Sequence, residues 1–288
     1  MELLLQALVS GLMMGGVYAL VAIGLTIIYG VMDIVNFAHG SFLMWGMYLA
    51  YWAFALFGLD PYVSLFGVMA ILFFIGLGIQ RVLIRPVVDS PHHIQILLTI
   101  GLFLVMDNLA LFAFSPDFRV VQVPYASSSI SLGPVLVNLP RLIAFGGALV
   151  LTAFLYVFLR KTIIGKAIRA ASEERIGARL VGINVNHINM ITFGIGTACV
   201  GLAGTLIAPF FYVSPTVGFS FVLKAFVVVV MGGMGNFAGA FVCGLLIGVT
   251  ESMGAVFMSG SAKDIPTYLV FIAVLLFRPT GLFTLKRN

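Results

Sequence analysis

Long apolar stretches constrain the fold of this chain more than any other feature of its sequence. Eight of them cover residues 3–31, 40–57, 62–84, 94–114, 142–159, 188–213, 222–250 and 265–277. A helix needs about 20 residues to cross the hydrocarbon core of a bilayer, and most of the stretches are near that length. They are continuous rather than alternating, which favours helices over the strands of a membrane barrel. We therefore expect an all-α polytopic membrane bundle, organised as a single domain over residues 1–288.

Composition supports the same class. Of the 288 residues, 61% are hydrophobic and only 9% are charged, and the mean hydropathy is +1.17. A soluble domain carries about 25% charged residues, so most of this chain requires a solvent other than water. The net charge of +5 does not indicate nucleic-acid binding, because the basic residues form no soluble patch. No Lys or Arg precedes Arg81, so the first stretch lacks the basic start of a signal peptide and is expected to be a retained span.

The seventh apolar stretch is too long for one crossing. It is interrupted by GGMGN at residues 232–236, and glycine-rich runs favour turns over helix interiors. We interpret it as two helices separated by a break, which raises the bundle to about 8–9 segments.

Basic residues predict the orientation, because cytoplasmic loops carry an excess of Lys and Arg. Eleven of the 15 fall in three segments: Arg81 and Arg85; Arg160, Lys161, Lys166, Arg169, Arg175 and Arg179; Arg278, Lys286 and Arg287. The chain must cross the membrane an even number of times between the second and third segments, and the break at 232–236 provides the fourth crossing. Counting backward places residues 33–40 near the inner side. The N-terminus is then outside and the C-terminus cytoplasmic.

The external loop at about 115–140 is rich in Pro, Ser and β-forming residues. We expect it to be ordered, either extended or with a short helix on the membrane surface. A contact with an external partner and a simple connecting role remain equally open.

The predicted cytoplasmic segment at about 160–187, RKTIIGKAIRAASEERIGARLVGINVNH, is far longer than a connector needs. Its apolar residues recur at helical spacing, which predicts two short amphipathic helices, with Gly182 as a stop. The alternatives are a docking surface for a partner and a helix held by basic residues to anionic lipid. Docking is favoured by Glu173 and Glu174 and by the small alanines and Gly182, which suit close helix contact.

The first polar cluster of the chain is DIVNFAHG at residues 33–40, and its Asn-Phe-Ala recurs at 236–238. Paired interruptions in the two halves of a transporter point to the transport pathway. This makes Asn36, Phe37, His39, Asn236 and Phe237 candidate pathway residues. Both asparagines could instead cap helices, and His39 could simply bond a backbone carbonyl.

Few ionisable residues lie within or beside the apolar stretches. Asp107 should face protein or water and is either a pathway residue or a structural helix contact. Lys224 and Glu251 lie near predicted outer ends, where snorkelling to the interface would explain them. Cys199 and Cys243 are expected to be small buried hydrophobes. No metal site and no catalytic residue is predicted, since His92 and His93 are adjacent and no HExxH or GxSxG occurs.

Several motifs together resemble the branched-chain amino acid permease family of ABC importers, and most closely the shorter of its two paired permease subunits. They are GLTIIYGVMDIVNFAHGSF at 24–42, AIRAASEERIGARLVGIN at 167–184, GLAGTLIAPF at 201–210, VVMGGMGNFAGAF at 229–241 and RPTGLF at 278–283. The resemblance implies an ABC-importer-type permease fold. It also implies a short coupling helix that docks on an ATPase subunit, with the coupling residues Ala170, Ala171, Ser172, Glu173, Glu174, Gly177 and Gly182.

The resemblance also implies the partners. These are a homologous second permease, two ATPase subunits, a periplasmic binding protein and membrane lipid, with no nucleic acid, in a bacterial inner membrane. No cofactor is expected on this chain, because IIGKA at 163–167 is not a Walker A motif; ATP and Mg would lie on the ATPases. The predicted function is therefore a permease for branched-chain or related amino acids. The alternatives are a sugar or amide permease of the same superfamily and an ion-coupled secondary transporter. The latter would need ionisable residues deep in several spans, of which Asp107 is the one clear example.

Overall fold

The computed structural model describes residues 2–283 and shows an all-α bundle with one small hairpin. The helices are α1 (Glu2–Met32), α2 (His39–Phe57), α3 (Pro61–Ile79), α4 (His92–Phe114), α5 (Leu139–Lys161), α6 (Ile163–Glu173), α7 (Arg175–Leu180), α8 (Val185–Ile207), α9 (Val217–Gly232), α10 (Phe237–Phe257) and α11 (Ile265–Phe277). A π-helical turn (Gln80–Ile84) and a 3-10 turn (Arg85–Val87) prolong α3. In the described part of the chain seven helices are long and apolar enough to cross a membrane, while α9 and α11 are shorter.

Two helices form the centre of the bundle. The most apolar windows of α1 and α8 are 89% and 83% buried, whereas those of α3, α4 and α5 are each 22% buried. The exposed sides of these outer helices are apolar, as membrane lipid or a neighbouring membrane subunit requires.

Glycines let α1 and α10 pack closely in antiparallel orientation. A Cβ atom on Gly15 would lie 2.7 Å from the Cα atom of Leu245, and one on Gly11 would lie 2.7 Å from that of Val249. Membrane helices lack a hydrophobic driving force for association, so small residues that bring backbones together stabilise their packing.

The predicted break in the seventh apolar stretch is confirmed. Helix α9 ends at Gly232 and α10 begins at Phe237. Gly233 and Gly235 have φ of 91° and 84°, a left-handed backbone region that favours glycine.

The three basic segments meet at one end of the bundle, which we call the basic end (residues 80–91, 162–184 and 278–283). The Ser172 hydroxyl donates to the Gly30 carbonyl at 2.6 Å, a nitrogen of Arg175 lies 3.9 Å from a carboxylate oxygen of Asp89, and the Leu282 amide donates to the Met231 carbonyl at 2.8 Å. The shared side agrees with the sequence prediction. Lys286 and Arg287 lie outside the described residues.

The opposite end, the hairpin end (residues 115–138), contains strands β1 (Ser129–Leu132) and β2 (Val135–Asn138), which pair antiparallel. The N-terminus lies here too, because the Gln6 side chain exchanges hydrogen bonds with the backbone of Leu136 at 2.7 and 2.9 Å. The loop is thus extended, which is one of the two alternatives that sequence analysis gave. Within residues 115–138 the other alternative, a short helix, does not form.

A polar contact attaches this loop to α3. Asp60 caps α3 by accepting from the Tyr62 amide at 2.8 Å, and its other carboxylate oxygen accepts from the Tyr125 hydroxyl at 2.6 Å. Burial and this hydrogen bond raise the pKa of Tyr125 above its ordinary value, so the hydroxyl stays protonated.

Candidate transport pathway and coupling surface

The polar segment at the basic end forms the two predicted short helices, α6 and α7. Thr162 caps α6 by accepting from the Gly165 amide at 2.9 Å, and Glu174 caps α7 by accepting from the Ile176 amide at 3.1 Å. Gly182 follows α7 with φ of 86°, which ends the helix as predicted.

This segment is bound to the end of α1. The Ser172 hydroxyl donates to the Gly30 carbonyl, and the Arg175 guanidinium donates twice to the Val31 carbonyl, at 2.8 and 3.1 Å. The last carbonyls of a helix lack partners within the helix, and a cation there is favoured by the helix dipole. Sequence reasoning missed Arg175 as an anchoring residue.

The predicted coupling residues differ in their surroundings. Glu173, Glu174, Ser172 and Gly182 are exposed, Ala170 and Gly177 are half-buried, and Ala171 is buried against the bundle. Three large apolar side chains beside them are unusually exposed: Ile176 at 68%, Leu180 at 82% and Val181 at 76%. We call these three the apolar tip. The helical periodicity of the sequence did not distinguish this exposed group from the buried Ile168.

The count of membrane crossings placed DIVNFAHG at the inner end of a span, but in the structure most of this segment lies deeper. Only Asp33 lies at that end, exposed and with φ of 55°. The chain then turns back into the bundle: the Thr99 hydroxyl donates to the Val35 carbonyl at 2.9 Å, and His39 Nε2 donates to the Val21 carbonyl at 3.0 Å. Val21 lies eleven residues before the end of α1, or about 16 Å at 1.5 Å per residue. Helix α2 therefore begins deep inside the bundle.

The two repeated asparagines make similar local contacts in different environments. Asn36 Oδ1 accepts from the Ala38 amide at 3.1 Å, and Asn236 Oδ1 accepts from the Gly239 amide at 3.0 Å at the start of α10. The contact of Asn236 is that of the capping alternative, because Asn236 is the N-cap of α10. Asn36 instead lies before Ala38, the N-cap of α2, which has no side-chain capping bond. Asn36 is fully buried, and within residues 2–283 its Nδ2 has no hydrogen-bond partner, whereas Asn236 Nδ2 donates to the Phe283 carbonyl at 2.7 Å.

The neighbouring phenylalanines pack against different helices. The ring of Phe37 lies 4.9 Å from that of Phe226 in α9, and the ring of Phe237 lies 6.1 Å from that of Tyr156 in α5. The two copies of Asn-Phe-Ala thus share a sequence and an asparagine that accepts from a nearby backbone amide, but not a common set of neighbours.

Helices α2 and α9 both begin inside the bundle and touch there. A Cβ atom on Gly40 would lie 2.7 Å from the carbonyl carbon of Gly218, and one on Gly218 would lie 2.6 Å from that of Gly40. We call this contact the glycine crossing. The N-termini of two helices, with their partial positive charge, therefore lie within the membrane-spanning part.

Asp107 joins two helices beside the glycine crossing. Its carboxylate accepts from the Ser41 hydroxyl at 2.6 Å, which connects α4 to α2. This is the helix contact that sequence analysis gave as one alternative. Ser41 directly follows Gly40, so the contact also lies next to the candidate pathway.

The explanation of Lys224 and Glu251 by snorkelling is wrong, because the two residues bind each other inside the bundle. Lys224 Nζ lies 2.7 Å from Glu251 Oε1 and 3.4 Å from an oxygen of Asp264, and Lys263 Nζ lies 3.5 Å from Glu251. The Tyr18 hydroxyl donates to Glu251 Oε2 at 2.7 Å. Lys224 and Glu251 are only 8% and 9% exposed. We call these five residues the charge cluster.

The charge cluster also corrects the view that Asp107 is the one ionisable residue deep in the spans. The sequence contained a signal for it: a Lys and a Glu of opposite sign lie within apolar runs on either side of a helix break. Helices that follow each other across a short break are usually neighbours, so such a pair can meet.

Comparisons with known proteins identify the family. The family of branched-chain amino acid transport system permease components matches residues 7–277. The chain belongs to this family. The permease is 34% identical to the high-affinity branched-chain amino acid transport system permease protein BraD of Pseudomonas aeruginosa, over 96% of this chain and 95% of BraD. It is 32% identical to the corresponding protein LivH of Escherichia coli K12, over 96% of this chain and 94% of LivH.

A partial match separates the two kinds of subunit. The E. coli permease protein LivM is 32% identical over 48% of this chain and 32% of LivM. The near-complete match to LivH and the partial match to LivM agree with the predicted resemblance to the shorter subunit. No solved structure matches the permease.

Family membership makes this chain a transport subunit of an ABC importer rather than an enzyme. Within the described residues no group of three or more His, Cys, Asp or Glu side chains could hold a metal ion. Cys199 and Cys243 are free and buried, as predicted for small hydrophobes.

Proposed function

We propose that the permease forms, together with a homologous second permease subunit, the membrane pathway of an ATP-driven importer for branched-chain amino acids. The observation that carries this proposal is the match over 96% of the chain to BraD and LivH, whose names state that substrate class. The partial similarity to LivM supports a partner that is itself a related permease.

The basic end faces the cytoplasm in this proposal. Cytoplasmic loops are enriched in Lys and Arg, and the three basic segments share this end. The hairpin end then faces the periplasm, where a substrate-binding protein would deliver the amino acid, and the membrane is the inner membrane of a bacterium.

Two ATPase subunits would supply the energy, with ATP and Mg bound on them and not on this chain. The apolar tip supports α6 and α7 as the docking element, because large apolar side chains that protrude from the basic end would gain free energy by entering a groove of a partner. Glu173 and Glu174 would add charge selection to that contact. Through Ser172 and Arg175, motion of the docking element would reach α1 directly.

The transport pathway would pass the glycine crossing. Asn36, Phe37 and His39 lie where the chain re-enters the bundle, and Asp107 lies beside them. Asn236 and Phe237 lie at the basic end of α10, where the pathway would open to the cytoplasm.

The test is uptake by the reconstituted complex. The permease, its partner permease, the two ATPases and the binding protein are placed in liposomes, and ATP-dependent uptake of labelled leucine is measured with valine, isoleucine and a sugar as competitors. Uptake that valine and isoleucine suppress and the sugar does not would support the proposal. An assembled, ATP-hydrolysing complex that transports no branched-chain amino acid would refute the substrate.

The coupling role has its own variant. Glu173→Lys with Glu174→Lys should abolish uptake and leave membrane insertion intact, because the reversed charges would repel the groove that the native ones fit. Lys161→Glu changes charge at the same end but outside α6 and α7, and it should keep most of the uptake. Full uptake by the double variant would remove the docking proposal.

A further inference from the structure

A cavity of about 240 Å³ lies between α1, α5, α9 and α10 and reaches from the hairpin end to the charge cluster. Ser10, Arg141 and Glu251 line it toward the hairpin end, and Tyr18 and Lys224 line it further inside. Its volume is just below that of pockets for drug-sized ligands, so it suits a smaller solute.

Among the described residues, the charges around this cavity leave one cation without a carboxylate partner. Lys224 and Lys263 are balanced by Glu251 and Asp264, all within 4.0 Å of an opposite charge. Arg141, in the first turn of α5, has no carboxylate within that distance in the described part of the chain; its guanidinium lies 5.8 Å from the centre of the Phe210 ring. A half-buried guanidinium beside a cavity is a planar donor that matches a carboxylate.

The remaining walls suit the rest of an aliphatic amino acid. Phe210, Phe211 and Phe221 supply apolar surface, and the hydroxyls of Ser220 and Ser252 together with the Glu251 carboxylate can accept from an ammonium group. A cavity with a guanidinium that no carboxylate pairs, apolar rings and hydrogen-bond acceptors is complementary to a zwitterion with a branched side chain.

The deep end of the cavity adjoins the glycine crossing. Tyr18 lies one helical turn from Val21, whose carbonyl binds His39, and Phe221 lies one turn from Gly218. A solute that left the charge cluster toward the basic end would meet the start of α2 next.

We propose that this cavity receives the amino acid from the hairpin side, with the carboxylate on Arg141, the aliphatic side chain against Phe210 and Phe221, and the ammonium group toward Glu251. This inference rests on the proposed function for the choice of ligand.

A cysteine reporter tests the cavity separately from transport. Ser10→Cys is introduced into the reconstituted complex, and its rate of reaction with a small neutral maleimide is measured with and without L-leucine. The native Cys199 and Cys243 are buried, and the parent complex measures their background. Leucine should slow the reaction, whereas 4-methylpentanoate and isoamylamine, which each lack one charged group, should slow it less.

Arg141→Gln then removes the proposed carboxylate partner. Half-protection should need about ten- to hundredfold more leucine, the loss typical of one charged hydrogen-bonding group, while Arg141→Lys should lose less. Arg81→Gln, at an exposed arginine of the basic end, should leave protection unchanged. If Ser10→Cys disturbs assembly, Ser252→Cys replaces it as the reporter.

The outcomes distinguish the two proposals. Leucine uptake by the parent complex without any protection of the reporter, or protection that Arg141→Gln leaves unchanged, would overturn the cavity assignment alone. Absence of leucine uptake together with protection by another zwitterion would instead overturn the proposed substrate and keep the cavity as a binding site.

Discussion

Removal of Lys224 should destabilise the permease strongly, and simultaneous removal of Glu251 should restore much of the loss. At 2.7 Å the two charges attract each other by about 6 kcal/mol at an effective dielectric constant of about 20. Burial of the two ions opposes this by several kcal/mol each, so the net value of the pair is small. Removal of one partner alone nevertheless costs much stability, because the remaining charge stays buried without its partner.

The remaining contacts around each charge set the expected loss of stability. Lys224→Met leaves Glu251 with Lys263 at 3.5 Å, and Glu251→Gln leaves Lys224 with Asp264 at 3.4 Å. These second partners place each single variant at the lower end of the usual cost of about 3–5 kcal/mol for a stranded buried charge. The double variant leaves Lys263 and Asp264 balanced and should cost about 1–2 kcal/mol rather than the sum of about 6 kcal/mol.

The measurement is the free energy of unfolding of the purified subunit by SDS titration in mixed micelles, followed by circular dichroism. Lys161→Met, at an exposed lysine, is the matched control and should change stability by less than about 0.5 kcal/mol. Single variants whose losses simply add in the double variant would refute the coupling between these residues.

Three further variants address other contacts. Gly40→Ala should lower the free energy of unfolding by more than about 2 kcal/mol through overpacking at the glycine crossing. The control Gly67→Ala, where a Cβ atom meets nothing within 4 Å, should be neutral or slightly stabilising. Equal effects of the two variants would contradict the close crossing. Asn236→Ala should lower the free energy of unfolding by about 1 kcal/mol, because α10 loses its cap, whereas Asn236→Asp should keep most of the capping stabilisation. The comparison of their melting temperatures checks this. Arg175→Met should reduce uptake per ATP hydrolysed more than it reduces ATP hydrolysis, since it removes two bonds to the Val31 carbonyl; an unchanged ratio would speak against that linkage.

The helices could be predicted because their signals are local. Continuous apolar runs of span length, a glycine break at 232–236 and a polar segment with helical spacing each specify an element without reference to the rest of the chain. The positions of the basic residues then predicted which loops share a side.

The long-range contacts could not be predicted by the same means. Glu251 is bound by Tyr18, which is 233 residues away in sequence, and no local sequence pattern predicts such a partner. For a lone charge near the end of an apolar stretch, snorkelling is the reasonable local expectation. The depth of Asn36 and His39 was missed for a related reason. Residues 33–38, which follow α1, turn back into the bundle beside Thr99 and Val21, whereas a count of crossings assumes that every turn lies at the membrane surface.

The attachment of α1 at both ends gives it a mechanical role. It is a proline-free helix of 31 residues, or about 46 Å at 1.5 Å per residue. One end is bound to Ser172 of α6 and Arg175 of α7 through Gly30 and Val31, the other to the hairpin through Gln6, and Tyr18 lies midway. A displacement of this helix as one body would therefore move both of its ends and the residues between them. We expect a displacement of α6 and α7 to move the cavity and the hairpin together, with residues 33–38 as the joint that bends.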